Sequence, residues 1–150
     1  MSPPAASATV FDTSAVIGLT ERRSPVLIDI VKSLGRPITR SITVYGELRH
    51  GAALADRPRQ SDRARTLDRY QRLSEWSETE TALDEVGQIY GDVSAMASAN
   101  ELRLGMNDRW IIAESVVLGA RLVTGDRRQA HLAELVGARR AEPLDIIVAD

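Results

Sequence analysis

The sequence predicts a single α/β domain built on a parallel sheet. Short apolar runs alternate with longer stretches in which apolar residues recur at helical spacing, and this alternation is typical of parallel βα units. The 150 residues correspond to one domain, and 43% apolar and 27% charged residues are the proportions of a chain that folds. We expect about five strands in a domain over residues 8–150, preceded by a flexible tail over residues 1–7.

The first strand is predicted over Ala8–Phe11, a short apolar run that ends at Asp12. A short helix follows it. A second helix is predicted from Ser24, an N-cap with proline at the next position, to the helix-ending Gly35. Pro37–Thr39 is the second predicted strand.

The middle of the chain is predicted to be mainly helical. Thr43 is the expected N-cap of a helix that Gly51 and Pro58 bound. A polar helix is expected from Ser61 to about Leu73, followed by a weak strand candidate over 76–79. The pattern Thr81-x-x-Asp84 then resembles a capping box at the start of the longest amphipathic helix.

The last third of the chain alternates helix and strand again. The predicted elements are a helix from Asn107 to Gly119, a strand over Arg121–Thr124, a helix from about Arg127 to Leu135, and a strand near Arg140–Leu144.

Four acidic residues are expected at one edge of this sheet. Asp12 and Asp126 each follow a predicted strand, Glu47 lies near the start of the helix after the second strand, and Asp108 begins another helix. Helices that follow parallel strands begin at the carboxyl edge, where such folds bind ligands. Taken singly, Asp108, Asp126 and Glu47 have ordinary explanations as helix-start, turn and surface residues. Asp12 needs a cation or hydrogen-bond donors, because it ends a strand buried on both faces.

Convergence of the four acids implies a metal ion. Carboxylates that share a site raise one another's pKa unless a divalent cation neutralises them. Oxygen ligands favour Mg²⁺ or Mn²⁺, and the absence of Cys and of any His-x-x-x-His pair argues against zinc. One or two such ions suit hydrolysis of a phosphodiester bond by metal-activated water.

The segments that carry these acids resemble a known family. The four segments are Val10–Ala15, Thr43–Gly51, Asn107–Ala113 and Leu122–Asp126. In order and spacing they resemble the acidic blocks of PIN-domain ribonucleases, particularly the VapC-type toxins of bacterial toxin–antitoxin pairs, from about Val10 to Leu144. The resemblance implies a three-layer α/β/α fold with a central parallel sheet of strand order 3-2-1-4-5. It also implies a Mg²⁺- or Mn²⁺-dependent endoribonuclease, usually a homodimer, inhibited by a cognate antitoxin that occludes the active site.

The resemblance assigns roles to individual residues. It makes Asp12, Glu47, Asp108 and Asp126 the catalytic, metal-binding acids. It makes Thr13, Ser14, Asn107 and Thr124 candidates for orienting metal ligands or substrate, although Asn107 is equally well explained as a helix N-cap. Gly125-Asp126 is followed by Arg127-Arg128, where many relatives have a less basic pair.

Charge and composition bear on the partners. The net charge of −2 gives no overall attraction for nucleic acid, so RNA contacts must be local. Arg63, Arg69 and Arg127 are candidate RNA contacts, while most arginines between Arg49 and Arg72 are expected on the solvated surface. The absence of cysteine and of any long apolar stretch leads us to expect a cytoplasmic protein without membrane association.

Two other functions compete with the nuclease. One is a phosphatase or phosphotransfer domain with Asp12 as nucleophile, disfavoured because Ser14 stands where a haloacid-dehalogenase arrangement needs a second Asp. The other is a non-catalytic PIN-like adaptor that binds RNA or protein, disfavoured because all four acids are present.

Overall fold

The architecture comes from a computed structural model, which describes residues 8–54, 57–77, 82–140 and 144–149. In chain order the elements are β1 (Thr9–Phe11), α1 (Thr13–Thr20), α2 (Pro25–Leu34), β2 (Ile38–Thr39), α3 (Ile42–Leu54), α4 (Arg57–Leu73), β3 (Ser74–Glu75), α5 (Leu83–Ala99), α6 (Met106–Val117), β4 (Arg121–Thr124), α7 (Arg127–Arg140) and β5 (Ile146–Val148). Within these ranges every helix is too short or too polar to cross a lipid bilayer.

All strand pairs are parallel, which confirms the predicted class. β4 lies between β1 and β5, with Val10 opposite Leu122 and Leu122 opposite Ile146. β2 pairs with β3 in a separate two-stranded ladder, and β2 packs beside β1. The spatial order 3-2-1-4-5 is therefore present, with the hydrogen-bonded ladder interrupted between β2 and β1.

The central strands are buried on both faces. Val10, Phe11, Leu122 and Val123 are all fully buried. Because successive side chains of a strand point to opposite faces, helices must cover both sides of the sheet. The sheet therefore lies between two layers of helices. Polar side chains can reach solvent only at the ends of the strands.

The cap of α3 differs from the prediction. Ser41 is the residue whose hydroxyl accepts from the Val44 amide, at 3.1 Å. Thr43 lies inside the helix, where its hydroxyl donates instead to Glu114, at 2.8 Å. Gly51 does not end the helix, which continues to Leu54.

Several element ends are also displaced. α4 begins at Arg57 rather than Ser61, and α7 continues to Arg140. The third strand is Ser74–Glu75 rather than 76–79, and the last is Ile146–Val148 rather than Arg140–Leu144. The third strand is polar, so its pairing with β2 defines it. The last strand is a β-branched apolar run that pairs with β4.

Local capping chemistry predicted other boundaries correctly. Ser24 caps α2, and Gly35 ends it in a left-handed conformation with φ of 65°. Gly119, with φ of 59°, follows α6. At the start of α6, however, Gly105 holds the cap position, so Asn107 is not the N-cap. Thr81 lies outside the described residues, and Ala82 precedes the first turn of α5.

Candidate active site

Asp12 stands where β1 passes into α1. Its side chain caps α1 by accepting from the Ala15 amide at 2.8 Å, and its own amide donates to Val123 of β4 at 3.0 Å. The Ser14 hydroxyl donates to Oδ1 at 2.7 Å, and Thr124 Oγ1 lies 2.6 Å from Oδ2. Only 2% of Asp12 is exposed, so these neighbours take the place of water.

Burial raises the pKa of Asp12, and the hydrogen bonds from Thr124, Ala15 and Ser14 oppose that rise. The negative charge of Asp126 raises it further. Oδ1 accepts from Ser14 Oγ and the Ala15 amide, and Oδ2 lies 2.6 Å from Thr124 Oγ1 and 2.9 Å from Ser14 Oγ, so both oxygens are in hydrogen-bond contact with the protein.

Asp126 follows β4 and begins α7. Its Oδ1 accepts from the Arg128 amide at 2.9 Å, which makes it the helix cap. Its own amide donates to Thr124 Oγ1 at 2.9 Å, so one hydroxyl lies between Asp126 and Asp12. The turn is closed against α1 as well, because the Gly125 amide donates to Ser14 Oγ at 3.0 Å.

Glu47 reaches the same edge from α3. Its Oε1 accepts from the Thr13 hydroxyl at 2.8 Å. Because Thr13 directly follows Asp12, this bond fixes the Glu47 carboxylate beside the start of α1. The three hydroxyls of Thr13, Ser14 and Thr124 each contact one of the acids.

Asp108 lies in the first turn of α6 and faces the other acids. Its pKa is raised to about 6, first by burial and then by the charges of Asp12, Asp126 and Glu47. The positive charge of Arg128 lowers the pKa of Asp108. The structure thus brings all four predicted acids to one edge of the sheet, near enough to repel one another.

The four carboxylates do not converge on one point. In the described ranges, no three acidic or histidine side chains are arranged to hold a single ion. Hydroxyl and amide donors hold Asp12, Glu47 and Asp126 individually instead. The donors are nevertheless the oxygen ligands that Mg²⁺ and Mn²⁺ prefer, and a cation would relieve the repulsion that raises the pKa of Asp108.

The remaining predicted residues lie at varying distances from the acids. Asn107 is exposed beside Glu47 in a groove between α3, α5 and α6, and Arg127 is exposed next to Asp126. Arg63 pairs with Glu21 at 3.2 Å, and Arg69 donates to the Thr20 carbonyl at 2.6 Å. Both arginines therefore lie at the end of α1 opposite Asp12, about 12 Å along a helix of this length.

Sequence reasoning missed Gln129. The spacing Asp126-x-x-Gln129 matches a capping box, in which the Gln side chain returns to the cap residue's amide. In the structure Thr124 takes that amide, and the Gln129 side chain turns inward between Thr124 and Asp108. The spacing could have singled out Gln129, although it predicts the wrong partner.

Glu114 was missed as well. It is buried within the apolar face of α6 and accepts from Ser41 and from both the amide and the hydroxyl of Thr43. Burial raises its pKa. Its partners lie at the start of α3, so it joins α6 to the helix that carries Glu47.

Comparisons with known proteins agree with this fold. The sequence model of the PIN domain matches residues 9–135. VapBC-1 from nontypeable Haemophilus influenzae has a chain of similar fold, with a TM-score of 0.69 and 18% identity over 92% of this chain and 95% of that chain.

Two further solved structures have similar folds. VapBC2 from Rickettsia felis, solved bound to a DNA fragment from its promoter, gives a TM-score of 0.67 and 18% identity over 93% of this chain and 97% of that chain. VapBC-5 from Mycobacterium tuberculosis, a member of the VapBC family of toxin–antitoxin systems, gives a TM-score of 0.65 and 20% identity over 95% of this chain and 99% of that chain. A comparison with curated protein sequences gives no significant match.

Proposed function

The chain belongs to the PIN domain family, and on that premise we propose that it is a metal-dependent endoribonuclease, the toxin of a VapC-type toxin–antitoxin pair. The observation that carries the proposal is that four acids from four separate segments lie at one edge of the sheet, near enough for the other three to raise the pKa of Asp108. Perturbed acids gathered at the ligand-binding edge of a parallel sheet are typical of an active site.

The charges explain why a cation is needed. At neutral pH a carboxyl with a pKa of about 6 is mostly ionised, so the four acids form a strongly negative patch. The phosphates of RNA are negative too, and Arg127 and Arg128 are the cations that directly follow Asp126. Without a counter-ion, substrate and site would repel each other.

Asp12, Glu47, Asp108 and Asp126 would hold one or two Mg²⁺ or Mn²⁺ ions. A bound ion would supply a water of lowered pKa and neutralise charge on the phosphoryl oxygen. Ser14 and Thr124 orient the Asp12 carboxylate, and Thr13 orients Glu47. Asn107 and Arg127, exposed on either side of the acids, are in position to contact the RNA strand, whereas Arg63 and Arg69 could reach only a more distant part of it.

The antitoxin is the proposed protein partner. A groove of about 570 Å³ opens beside Glu47, and its rim includes Ile42 and Leu83, which are 62% and 78% exposed. Apolar side chains this exposed next to the acids favour a partner segment that covers them and occludes the site. The resemblance to VapC-type toxins also leads us to propose a cytoplasmic homodimer.

The phosphotransfer alternative gains no support from the geometry. Position 14, where a haloacid-dehalogenase arrangement needs a second Asp, holds Ser14, and its hydroxyl donates to Asp12. The adaptor alternative predicts RNA binding without cleavage, which an experiment can separate from hydrolysis.

The test is cleavage of structured RNA by the purified chain with Mn²⁺ or Mg²⁺. We expect the wild type to cleave, and both EDTA and Asp12→Asn to abolish cleavage. Asp84→Asn is the matched control, because Asp84 is an exposed acid in the first turn of α5. RNA binding without cleavage by the wild type would support the adaptor, and phosphate covalently bound to Asp12 would support phosphotransfer.

A further inference from the structure

Gln129 is a fully buried polar side chain behind the four acids. Its Nε2 donates to the Asp108 carbonyl at 3.2 Å, and its Oε1 lies 2.8 Å from Thr124 Oγ1. The Asp108 carbonyl can only accept, so the amide must point Nε2 toward it, and Oε1 therefore faces Thr124. One side chain of α7 thus joins the end of β4 to the first turn of α6.

The hydrogen bonds of Thr124 connect Gln129 to the Asp12 carboxylate. Thr124 Oγ1 accepts from the Asp126 amide, and it has one proton for two acceptors, Asp12 Oδ2 at 2.6 Å and Gln129 Oε1 at 2.8 Å. If that proton turns to Gln129, Oδ2 loses its shorter hydrogen bond and keeps the 2.9 Å contact with Ser14 Oγ. Gln129 therefore provides the alternative acceptor that lets Asp12 offer Oδ2 to a cation.

The second hydrogen bond of Gln129, from Nε2 to the Asp108 carbonyl, affects the position of Asp108. By holding the Asp108 carbonyl, Gln129 fixes the first turn of α6 against β4. Because Asp108 lies in this turn, the position of the turn sets how closely Asp108 approaches Asp12. An apolar side chain at position 129 would fill the same space and hold neither partner.

We propose that Gln129 is a positioning residue that tunes how tightly this site binds a divalent cation, through Thr124 to Asp12 and through the backbone to Asp108. The inference rests on the proposed function in that it concerns the same acids. Outer contacts of this kind orient metal ligands, and their loss typically lowers metal affinity about tenfold to a hundredfold.

The experiment measures the Kd of Mn²⁺ by electron paramagnetic resonance with the full chain and no RNA. Gln129→Leu is expected to raise this Kd by about tenfold or more. Gln129→Met, which keeps the length of the side chain, should do the same and serves if the Leu variant does not fold. Leu132→Ala is the matched control, since Leu132 is a fully buried residue of the same helix without polar contacts. It should lower the melting temperature and leave the Kd unchanged.

A double-mutant cycle with Thr124→Val separates the two routes. If Gln129 acts through the Thr124 proton, Gln129→Leu should weaken Mn²⁺ binding less in the Thr124→Val background than in the wild type. Equal effects in both backgrounds would assign the action of Gln129 to Asp108. A wild-type Kd in Gln129→Leu and Gln129→Met, or an increase matched by Leu132→Ala, would overturn the inference.

These outcomes are independent of RNA cleavage. A wild type that binds Mn²⁺ but leaves RNA intact contradicts the proposed nuclease and leaves the role of Gln129 standing. If the wild type cleaves RNA and both Gln129 variants bind Mn²⁺ with the wild-type Kd, the proposed nuclease stands and the role of Gln129 is contradicted. A wild type without measurable Mn²⁺ binding would overturn both.

Discussion

The Thr124 hydroxyl lies 2.6 Å from the Asp12 carboxylate, although 112 positions separate the two residues in the chain. The contact is possible because β1 and β4 are parallel neighbours and both residues follow the last paired position, where Phe11 is opposite Val123. Parallel pairing thus places a polar residue of each strand at the same edge. The following predictions test how the contacts at this edge act on stability and activity.

Loss of the Thr13 hydroxyl should lower RNA cleavage. In Thr13→Val, Glu47 loses its donor on α1, and we expect kcat/KM to fall about tenfold or more. Thr20→Val is the control, because the Thr20 hydroxyl donates within α1, to the Val16 carbonyl. Equal activity losses in the two variants would mean that Glu47 does not depend on Thr13.

The stability of the cation-free protein should fall as pH rises through about 6. Folding raises the pKa of Asp108 from 3.8 to about 6, so between these values the folded state binds more protons than the unfolded state. The contribution of Asp108 is therefore most favourable below pH 4 and is lost as the pH passes 6. Complete loss corresponds to about 3 kcal/mol at most, at roughly 1.4 kcal/mol per pKa unit.

Urea unfolding in EDTA at pH 4, 6 and 7.5 measures this dependence, with Asp108→Asn as reference. The variant should be as stable as the wild type near pH 4 and more stable at pH 7.5. Added Mn²⁺ should stabilise the wild type at pH 7.5, since a ligand of the folded state raises its stability. A wild type and a variant that differ by the same amount at every pH would contradict the assignment to Asp108.

Substitution of Gly125 should disturb the turn that carries Asp126. A Cβ there would lie 3.2 Å from Ser14 Oγ, which is a crowded contact, and 3.5 Å from the Ala149 carbonyl, which is an ordinary one, so Gly125→Ala crowds α1 at Ser14. We expect a loss of about 1 kcal/mol in the free energy of unfolding. In the Ser14→Ala background the clash with Oγ is gone, and the same substitution should cost less. A cost that is unchanged by Ser14→Ala would place the strain at Ala149.

Removal of Glu114 should destabilise the protein without changing Mn²⁺ affinity directly. Glu114→Leu leaves the buried Ser41 hydroxyl and the Thr43 donors without their acceptor. An unsatisfied buried polar group costs about 1–3 kcal/mol, so we expect a loss in that range by chemical denaturation. Glu114→Gln should lose less, because the Gln carbonyl still accepts. A large change in the Mn²⁺ Kd of Glu114→Gln would instead couple this residue to Glu47 through α3.

Local chemistry made some elements predictable. Ser24, Pro25 and Gly35 marked both ends of α2, because capping and left-handed termination depend on neighbouring residues only. The strand over Arg121–Thr124 was found for a similar reason, because Leu122 and Val123 are followed by a Gly-Asp turn. The β-branched run Ile146–Val148 carries a local signal of the same kind, which the prediction overlooked.

Other elements depended on partners distant in the chain. Thr43 has the residue type of an N-cap, but its hydroxyl donates to Glu114, 71 positions away, and Ser41 caps the helix. The third strand was placed two residues too late, because Ser74 and Glu75 are polar and their pairing with β2 defines the strand. The spacing of Gln129 from Asp126 matches a capping box, whereas in the structure α7 packs against α6 and the Gln129 side chain turns inward.

The order of residues by itself determined that acids follow the strands and begin the helices, and parallel pairing was enough to bring them to one edge. The hydrogen-bond partner of each acid was decided by the tertiary structure. Asp12 and Asp126 share Thr124, Glu47 is held by Thr13, and Asp108 is linked to the others through Gln129. The reason is that the ends of β1 and β4 follow from local pattern, whereas a buried polar group takes whichever partner folding brings within about 3 Å.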